Sequence, residues 1–396
     1  MKRYFFMVLG LCFLGFGLQA QTVEKEQNSY ENSADRLLST DGRLTIGGYG
    51  EVHFNQALDS DVRSNGKLDV HRMVMLLGYN FSERTQFVTE IEFEHVKEVY
   101  IEQAFLQHKL NNYINLKGGL LLIPMGIINE YHEPTTFNGV ERPLVDNVIA
   151  PTTWREIGFG VSGNVFPATL RYQLYLVNGF NGYNGDGVLN GQNGFRKGRQ
   201  KGAESYISSP NFTGKVEYYG VRGLNVGLSG YFGNTQSTLY DGIDKNNSNK
   251  MAAADSSVVG ISMMGLDARF VTGGLQLKGQ LYLAGISNTE QYNKFVSSDL
   301  GSSMIGYYLE AGYNVLRMSK TGMELIPFIR TEKYNTHHKV AGDLTKNTSY
   351  NQSAVTTGLT LKLARGAVVK TDIQFRKSEA GDNWSKVFNA GFGVMF

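Results

Sequence analysis

Three carboxylates stand at alternate positions of residues 85–94. Glu90, Glu92 and Glu94 share one face of an extended segment with Gln86, and Phe87, Thr89, Ile91 and Phe93 share the other. Side chains of a strand alternate between two faces, so this segment has one charged face and one apolar face, and Glu102 joins the acidic set from the next segment. Lys117, Arg171, Lys215, Lys278, Arg330, Lys370 and Arg376 hold the polar faces of other segments, with Glu217, Glu310 and Asp372 among them. Charged walls at a narrow point select what passes a wide pore. Any one of these charges can simply be solvated. As a set, an acidic sector opposite basic strands predicts a transverse field that concentrates ions and dipolar solutes.

Residues 125–154 add Glu130, Glu133, Glu141 and Asp146, with Arg142 as the one fixed cation and His132 beside it. A stretch of about 30 residues without periodicity is usually functional or disordered. This one is too apolar for an exposed loop: Ile127, Ile128, Tyr131, Phe137, Val140, Leu144, Val145, Val148, Ile149 and Trp154 need something to pack on. The expectation is a constriction loop folded onto an inner wall. The alternatives are a loop over a mouth or at a subunit contact.

Other chemistries find little support. There is no Gly-x-Ser-x-Gly and no His-Glu-x-x-His, so a hydrolase is the least favoured reading and no enzyme is expected. The single cysteine, Cys12, lies in the expected leader, which excludes disulfides and cysteine metal sites. The pair His337-His338 reads as a loop feature, and no metal or cofactor is expected. Lys and Arg number 38, Lys2 and Arg3 included, against 36 acids. Without the leader the signs balance, and a nucleic-acid partner is not expected.

The elements that must carry these residues are strands. Aromatics make up 12% of the chain, with 47 glycines and only 7 prolines. Beyond residue 20 no apolar run is long enough for a spanning helix. Period-two alternation marks sixteen segments: 43–55, 67–80, 85–96, 98–110, 112–124, 155–166, 169–179, 212–219, 222–234, 258–270, 273–286, 303–316, 321–334, 350–364, 366–378 and 384–396. Two are irregular: Arg72 falls on the face of Leu68, Val70 and Val74, and 98–110 is ambiguous. The joins alternate in length. Residues 81–84, 111, 167–168, 221, 271–272, 317–320 and 365 are short. Residues 57–66, 125–154, 180–211, 234–257, 287–302 and 335–349 are long and polar, with short exceptions near Lys97 and at 379–383. This is the pattern of a transmembrane antiparallel β-barrel with short periplasmic turns and long extracellular loops. Hydrocarbon leaves no solvent for an unpaired edge, so the sheet must close. Sixteen strands are wide enough for an aqueous channel.

The ends complete the expectation. Met1-Lys2-Arg3, an apolar run of about 15 residues and small Ala20 read as a secretory signal peptide over 1–20, too short for the roughly 20 residues of a spanning helix. Residues 21–42 read as a short periplasmic extension, with no plug-sized segment, which disfavours a TonB-dependent transporter. Residues 43–396 form the barrel. Trp384, Phe388, Ala390, Phe392, Val394 and Phe396 share a face broken only by Lys386; Phe396 is the expected signal to the barrel-assembly machinery. In the loop over 180–211, Arg196, Lys197, Arg199 and Lys201 read as a solvated surface cluster, with lipopolysaccharide phosphates or anions as alternative partners.

The run VYIEQAFLQHKLNNYINLKGGLLLIP over residues 99–124 resembles the phosphate-selective porin O/P family of Gram-negative barrels. Residues 325–330, 369–376 and 388–396 are similar to it as well. The resemblance spans most of the barrel through individually loose motifs. It implies sixteen strands, a homotrimer and an inward-folded loop. The chain departs where phosphate selection should lie, since the matching loop is acidic instead of rich in Arg and Lys. The expectation is an outer-membrane porin that passes small hydrophilic solutes or ions through a water-filled barrel. A plugged barrel acting as a surface adhesin or scaffold is the alternative.

Overall fold

The computed structural model describes residues 32–40, 42–58 and 61–396. The expected leader and most of the N-terminal extension lie outside the described residues. Sixteen antiparallel strands close into one barrel. In chain order they are β1 Leu44–Ala57, β2 Lys67–Asn80, β3 Thr85–Glu94, β4 Glu98–Lys109, β5 Asn115–Leu122, β6 Arg155–Val165, β7 Leu170–Val177, β8 Asn211–Val221, β9 Leu224–Asn234, β10 Gly260–Thr272, β11 Leu275–Ser287, β12 Ser303–Tyr313, β13 Glu324–Lys339, β14 Asn351–Ala364, β15 Ala367–Ser378 and β16 Ser385–Met395. Each pairs with its sequence neighbours, and β1 pairs with β16 from Tyr49↔Met395 to Ala57↔Val387. Phe396 extends this seam: its N–H donates to Gly48 O (2.9 Å) and its carbonyl accepts from Gly48 N (3.1 Å).

Alternation sorts the two faces. Ile46, Leu68, Met73, Phe159, Leu228, Leu266, Leu283, Leu309, Ile329 and Phe392 point outward and are exposed, an apolar belt suited to lipid. Inward stand Glu51, Arg72, Glu90, Lys215, Asp267, Arg269, Lys278, Arg330 and Asp372, all buried.

Two β-bulges explain the irregular segments. In β2 the register jumps from Glu51↔Arg72 to Val52↔Val70, leaving His71 unpaired. Leu68 and Val70 therefore face out while Arg72 and Val74 face in. In β4, Glu90 pairs with Gln103 and Ile91 with Ile101, so Glu102 is the extra residue. A bulge places two residues against one and re-aims a side chain; here it turns both Glu102 and Gln103 inward.

The lumen differs from the wide aqueous channel expected of sixteen strands. Its middle is packed. Residues 123–154 fold into it and carry a short helix, α2 (Val145–Val148). Met125, Val145, Ile149, Ala150 and Trp154 are wholly buried. Gly306 of β12 permits the approach: a Cβ there would stand 2.4 Å from Val145 Cγ2. Residues 33–39 of the expected extension are helical and docked. Helix α1 (Ser33–Ser39), N-capped by Asn32, packs Ala34 and Leu37 against β1–β3 at the short-turn end.

Candidate functional site: the loop-filled lumen

Loop 125–154 is bonded to the wall on nearly every side, and the predicted charges make many of the bonds. Lys215 Nζ donates to Gly126 O (2.6 Å) and to Glu130 Oε2 (2.8 Å). Lys278 Nζ donates to Thr136 O (2.7 Å). The buried Arg330 donates to Asn138 O (3.3 Å) and Glu141 O (3.1 Å), while Glu310 and Glu332 hold its other edges. Asp372 accepts from Val140 N (2.7 Å). Lys370 Nζ sits 3.7 Å from the centre of the Phe137 ring. The loop turns into the lumen at Gly126, whose φ of +69° and contact with Tyr282 exclude a side chain.

The loop acids are bonded to the barrel instead of facing open water. Glu133 Oε1 accepts from the N–H and hydroxyl of Ser33 (both 2.6 Å), so α1 braces the loop from below. Burial pushes Glu141 up, but His53 Nδ1 at 3.3 Å and Asn55 Nδ2 at 2.9 Å outweigh it and hold the carboxyl down at about 2. Asp146 goes the other way. Burial raises it to about 7 against hydrogen bonds from Gln280 (2.7 Å) and Tyr282 (2.9 Å). Its second oxygen, Oδ2, has no partner, as suits a carboxyl that keeps its proton.

At mid-height the acidic wall meets the loop. Tyr49 Oη lies 2.7 Å from Glu90, 3.3 Å from Glu102 and 3.1 Å from His132 Nε2. Arg72 stacks over the Tyr49 ring at 4.8 Å, donates to Glu51 Oε1 at 2.6 Å and donates to the His132 carbonyl. Glu92 is 3.9 Å from Arg72. Burial pulls the His132 imidazole down, but Glu102 at 3.3 Å outweighs it and holds the pKa above its ordinary value. Tyr49, Arg72, Glu90, Glu102 and His132 are each at most 2% exposed.

A cavity lies on either side of this layer. The one toward α1 is about 240 Å³ and is lined by Asp35, Gln103, Lys117, Glu130, Arg171 and Gln173 among others. The one toward the long loops is about 190 Å³ and is lined by Glu51, His53, His71, Glu141, Arg142, Arg196 and Arg376 among others. Of the predicted wall residues, Lys117 stacks on Phe105, and Arg171 pairs with Glu217 and with Asp35 at 3.5 Å. Glu94 is half-buried near the rim, with Oε1 3.9 Å from His95.

The basic cluster of the next loop is not simply solvated. Arg199 donates to Thr152 O and Thr153 Oγ1, Lys201 lies over the Tyr100 ring, and Phe195 N donates to Val148 O. This loop therefore clamps the constriction loop from above. Sequence reasoning missed Arg72, hidden by its bulge, and Tyr49, Glu51, Asp267, Arg269 and Glu332. Parity could have found Asp267 and Arg269, which alternate with Leu266, Ala268 and Phe270; Glu332 sits between Thr331 and Lys333, and Tyr49 between two glycines, where the signal is weak. His337 and His338 were expected in a loop but lie on the end of β13, which runs on to Lys339; His337 Nε2 lies 2.6 Å from Asp299 O.

No protein-family model matches the chain, so the likeness to phosphate-selective porins rests on its motifs alone. Solved structures share the fold at low identity. The anion-selective porin from Comamonas acidovorans aligns with TM-score 0.56 and 12% identity, over 89% of this chain and 99% of that one. The outer membrane channel DcaP of Acinetobacter baumannii gives 0.58 and 11%, over 89% and 97%. OmpF of Salmonella typhi gives 0.55 and 10%, also over 89% and 97%. An uncharacterized protein of Aquifex aeolicus (strain VF5) is 32% identical over 316 residues, 78% of this chain and 70% of that protein. This chain belongs to the family of that Aquifex aeolicus protein, on a barrel fold shared with the outer-membrane porins.

Proposed function

We propose that the protein is an outer-membrane channel for small hydrophilic solutes and ions, with the inward loop 125–154 as its constriction. One observation carries the reading: a loop of about 30 residues fills the middle of a sixteen-stranded barrel and leaves a polar cavity at each end. A wall built only for stability would bury apolar residues there. This one buries Arg72, Lys215, Arg269 and Arg330 with their carboxylates. The channel is narrow, and movement of the loop sets its conductance. The outer vestibule carries Arg142, Arg196 and Arg376 against Glu51 and Glu141, which gives a weak preference for anions. The leader over 1–20 directs export, Phe396 serves assembly, and the barrel works as a trimer in lipid. Phosphate selectivity is not part of the reading, because the loop acids match no phosphate.

The test is single-channel recording of the refolded protein in planar bilayers under a KCl gradient. Small steps in threes, with a reversal potential of anionic sign, are expected. The packed mid-lumen also supports a second reading, a closed barrel whose long loops bind a partner. A folded, heat-modifiable barrel that stays silent across voltage and pH would favour that reading.

A further inference from the structure

At the outer rim of the vestibule, three side chains from one strand and a turn converge. Asp69 Oδ2 of β2 lies 2.7 Å from His95 Nδ1 and 3.4 Å from His71 Nδ1. One donor atom from each residue lies within 4.8 Å of the other two. The side chains of Asp69, His71 and His95 are 14%, 27% and 38% exposed, so solvent reaches the cluster. We propose that Asp69, His71 and His95 form a binding site for one divalent transition-metal ion, of the zinc, copper or nickel class, at the extracellular mouth of the barrel.

The donor set fits such an ion. Two imidazoles and one carboxylate suit first-row transition metals better than magnesium or calcium, which take oxygen ligands. With metal–ligand bonds of about 2.0–2.1 Å, tetrahedral donors stand about 3.3 Å apart. The Asp69–His71 separation of 3.4 Å already matches this. The Asp69–His95 separation of 2.7 Å must open by about 0.6 Å to reach that spacing, with the proton of that hydrogen bond released to solvent. Three protein ligands leave a coordination position open toward the vestibule.

The surroundings orient the donors. The bulge in β2 leaves His71 out of the β1 register, and its ring lies edge-on to that of His95 at 5.3 Å. His53 stacks on His71 at 4.5 Å, while its own nitrogens face Glu51 and Glu141 at 3.3 Å each. His53 is therefore a wall of the site, and Glu141 ties that wall to the constriction loop. Glu94 Oε1, 3.9 Å from His95 Nε2, stands where outer carboxylates of metal-bound histidines stand. Lys67 Nζ, 4.0 Å from Asp69, is 69% exposed and free to swing away.

The turn bearing His95 is a second observation. His95 and Val96 both have positive φ, 53° and 65°, between Glu94 O and the Lys97 N–H that donates to it. Such turns favour Asn-Gly, and a β-branched residue there is an outlier. Backbone strain of this kind clusters at functional sites. Here it aims an imidazole at Asp69.

The site goes beyond the channel reading, and its test does not depend on conduction. Tag-free protein folded in detergent and stripped with EDTA is titrated with ZnCl2 by calorimetry and with CoCl2 by visible absorption. One equivalent per chain is expected, with the d–d bands of a low-coordinate Co2+ site. Asp69→Asn, His71→Gln and His95→Gln should each weaken Zn2+ binding at least tenfold. His108→Gln, at the far end of the barrel where His108 contacts Thr85, should leave it unchanged. The double change His95→Asn with Val96→Gly separates ligation from folding, because it supplies the turn's preferred residues and should leave the barrel at least as heat-resistant while the metal is lost. No saturable binding by the wild type, or unchanged affinity in the double variant, overturns the proposal.

Discussion

At the scale of single residues, the lumen is a set of buried charges, most of them paired. Arg72 is the sharpest case. Arg72→Ala leaves Glu51 and Glu92 buried beside an empty space, and breaking a buried pair in this way costs about 3–5 kcal/mol. A lower midpoint in heat-modifiability gels is expected, with Arg72→Lys in between because lysine lacks the planar fork; an unchanged Arg72→Ala midpoint would refute the pairing. Asp146 gives a prediction with pH. Its folded value of about 7 stands above the ordinary 3.8, so the folded chain keeps a proton that the unfolded chain releases. The stability it contributes is full below about pH 4 and is lost as pH rises through 7. Glu332 and Arg330 also face it, with opposite effects. Wild-type barrels should lose midpoint between pH 5 and pH 8, and Asp146→Asn should lose less; equal losses would remove Asp146 as the cause. Legibility was uneven at this scale. Glu90 and Lys215 followed from parity, whereas a bulge moves Arg72 to the face opposite the one its neighbours imply.

Strands and loops were more legible than residues. All sixteen strands answer to alternating segments, with β2 at the expected bounds and the others displaced at their ends by up to five residues. Alternation is a property of every strand position, so single errors do not hide it. The inward loop announced itself through buried-type residues such as Ile127 and Trp154 in a stretch without period. Helix α1 did not. Residues 32–40 are short, and Ala34, Leu37 and Leu38 show a packed face only once the barrel is there to receive it. That helix matters because Ser33 holds Glu133 and Asp35 faces Arg171. Removing residues 21–40 should free the lower end of the loop and raise single-channel conductance several-fold, without loss of heat-modifiability. Glu133→Ala, which cuts only the Ser33 bonds, should raise it less. Conductance unchanged in both would mean that the constriction lies elsewhere.

For the whole molecule, the question is which charges an arriving ion meets first. With 38 Lys and Arg against 36 acids the chain is nearly neutral, so its net charge steers nothing. The layout does: Arg142, Arg196 and Arg376 line the outer vestibule with Glu51 and Glu141, which Arg72 and His53 already hold, whereas Asp35 and Glu130 balance Lys117 and Arg171 in the inner one. Vestibule charges act through water and are screened by salt, over about 10 Å at 0.1 M and about 3 Å at 1 M. Charges in a dry constriction are screened far less. Replacing Arg196 and Arg376 with glutamine should therefore move the reversal potential toward cations in gradients near 0.1 M KCl, and the shift should shrink to near zero near 1 M. A shift of the same size at both salts would place these arginines at the constriction itself. No shift at either salt would leave selectivity to the buried layer around Arg72, where substituting Glu92 is then the change to make.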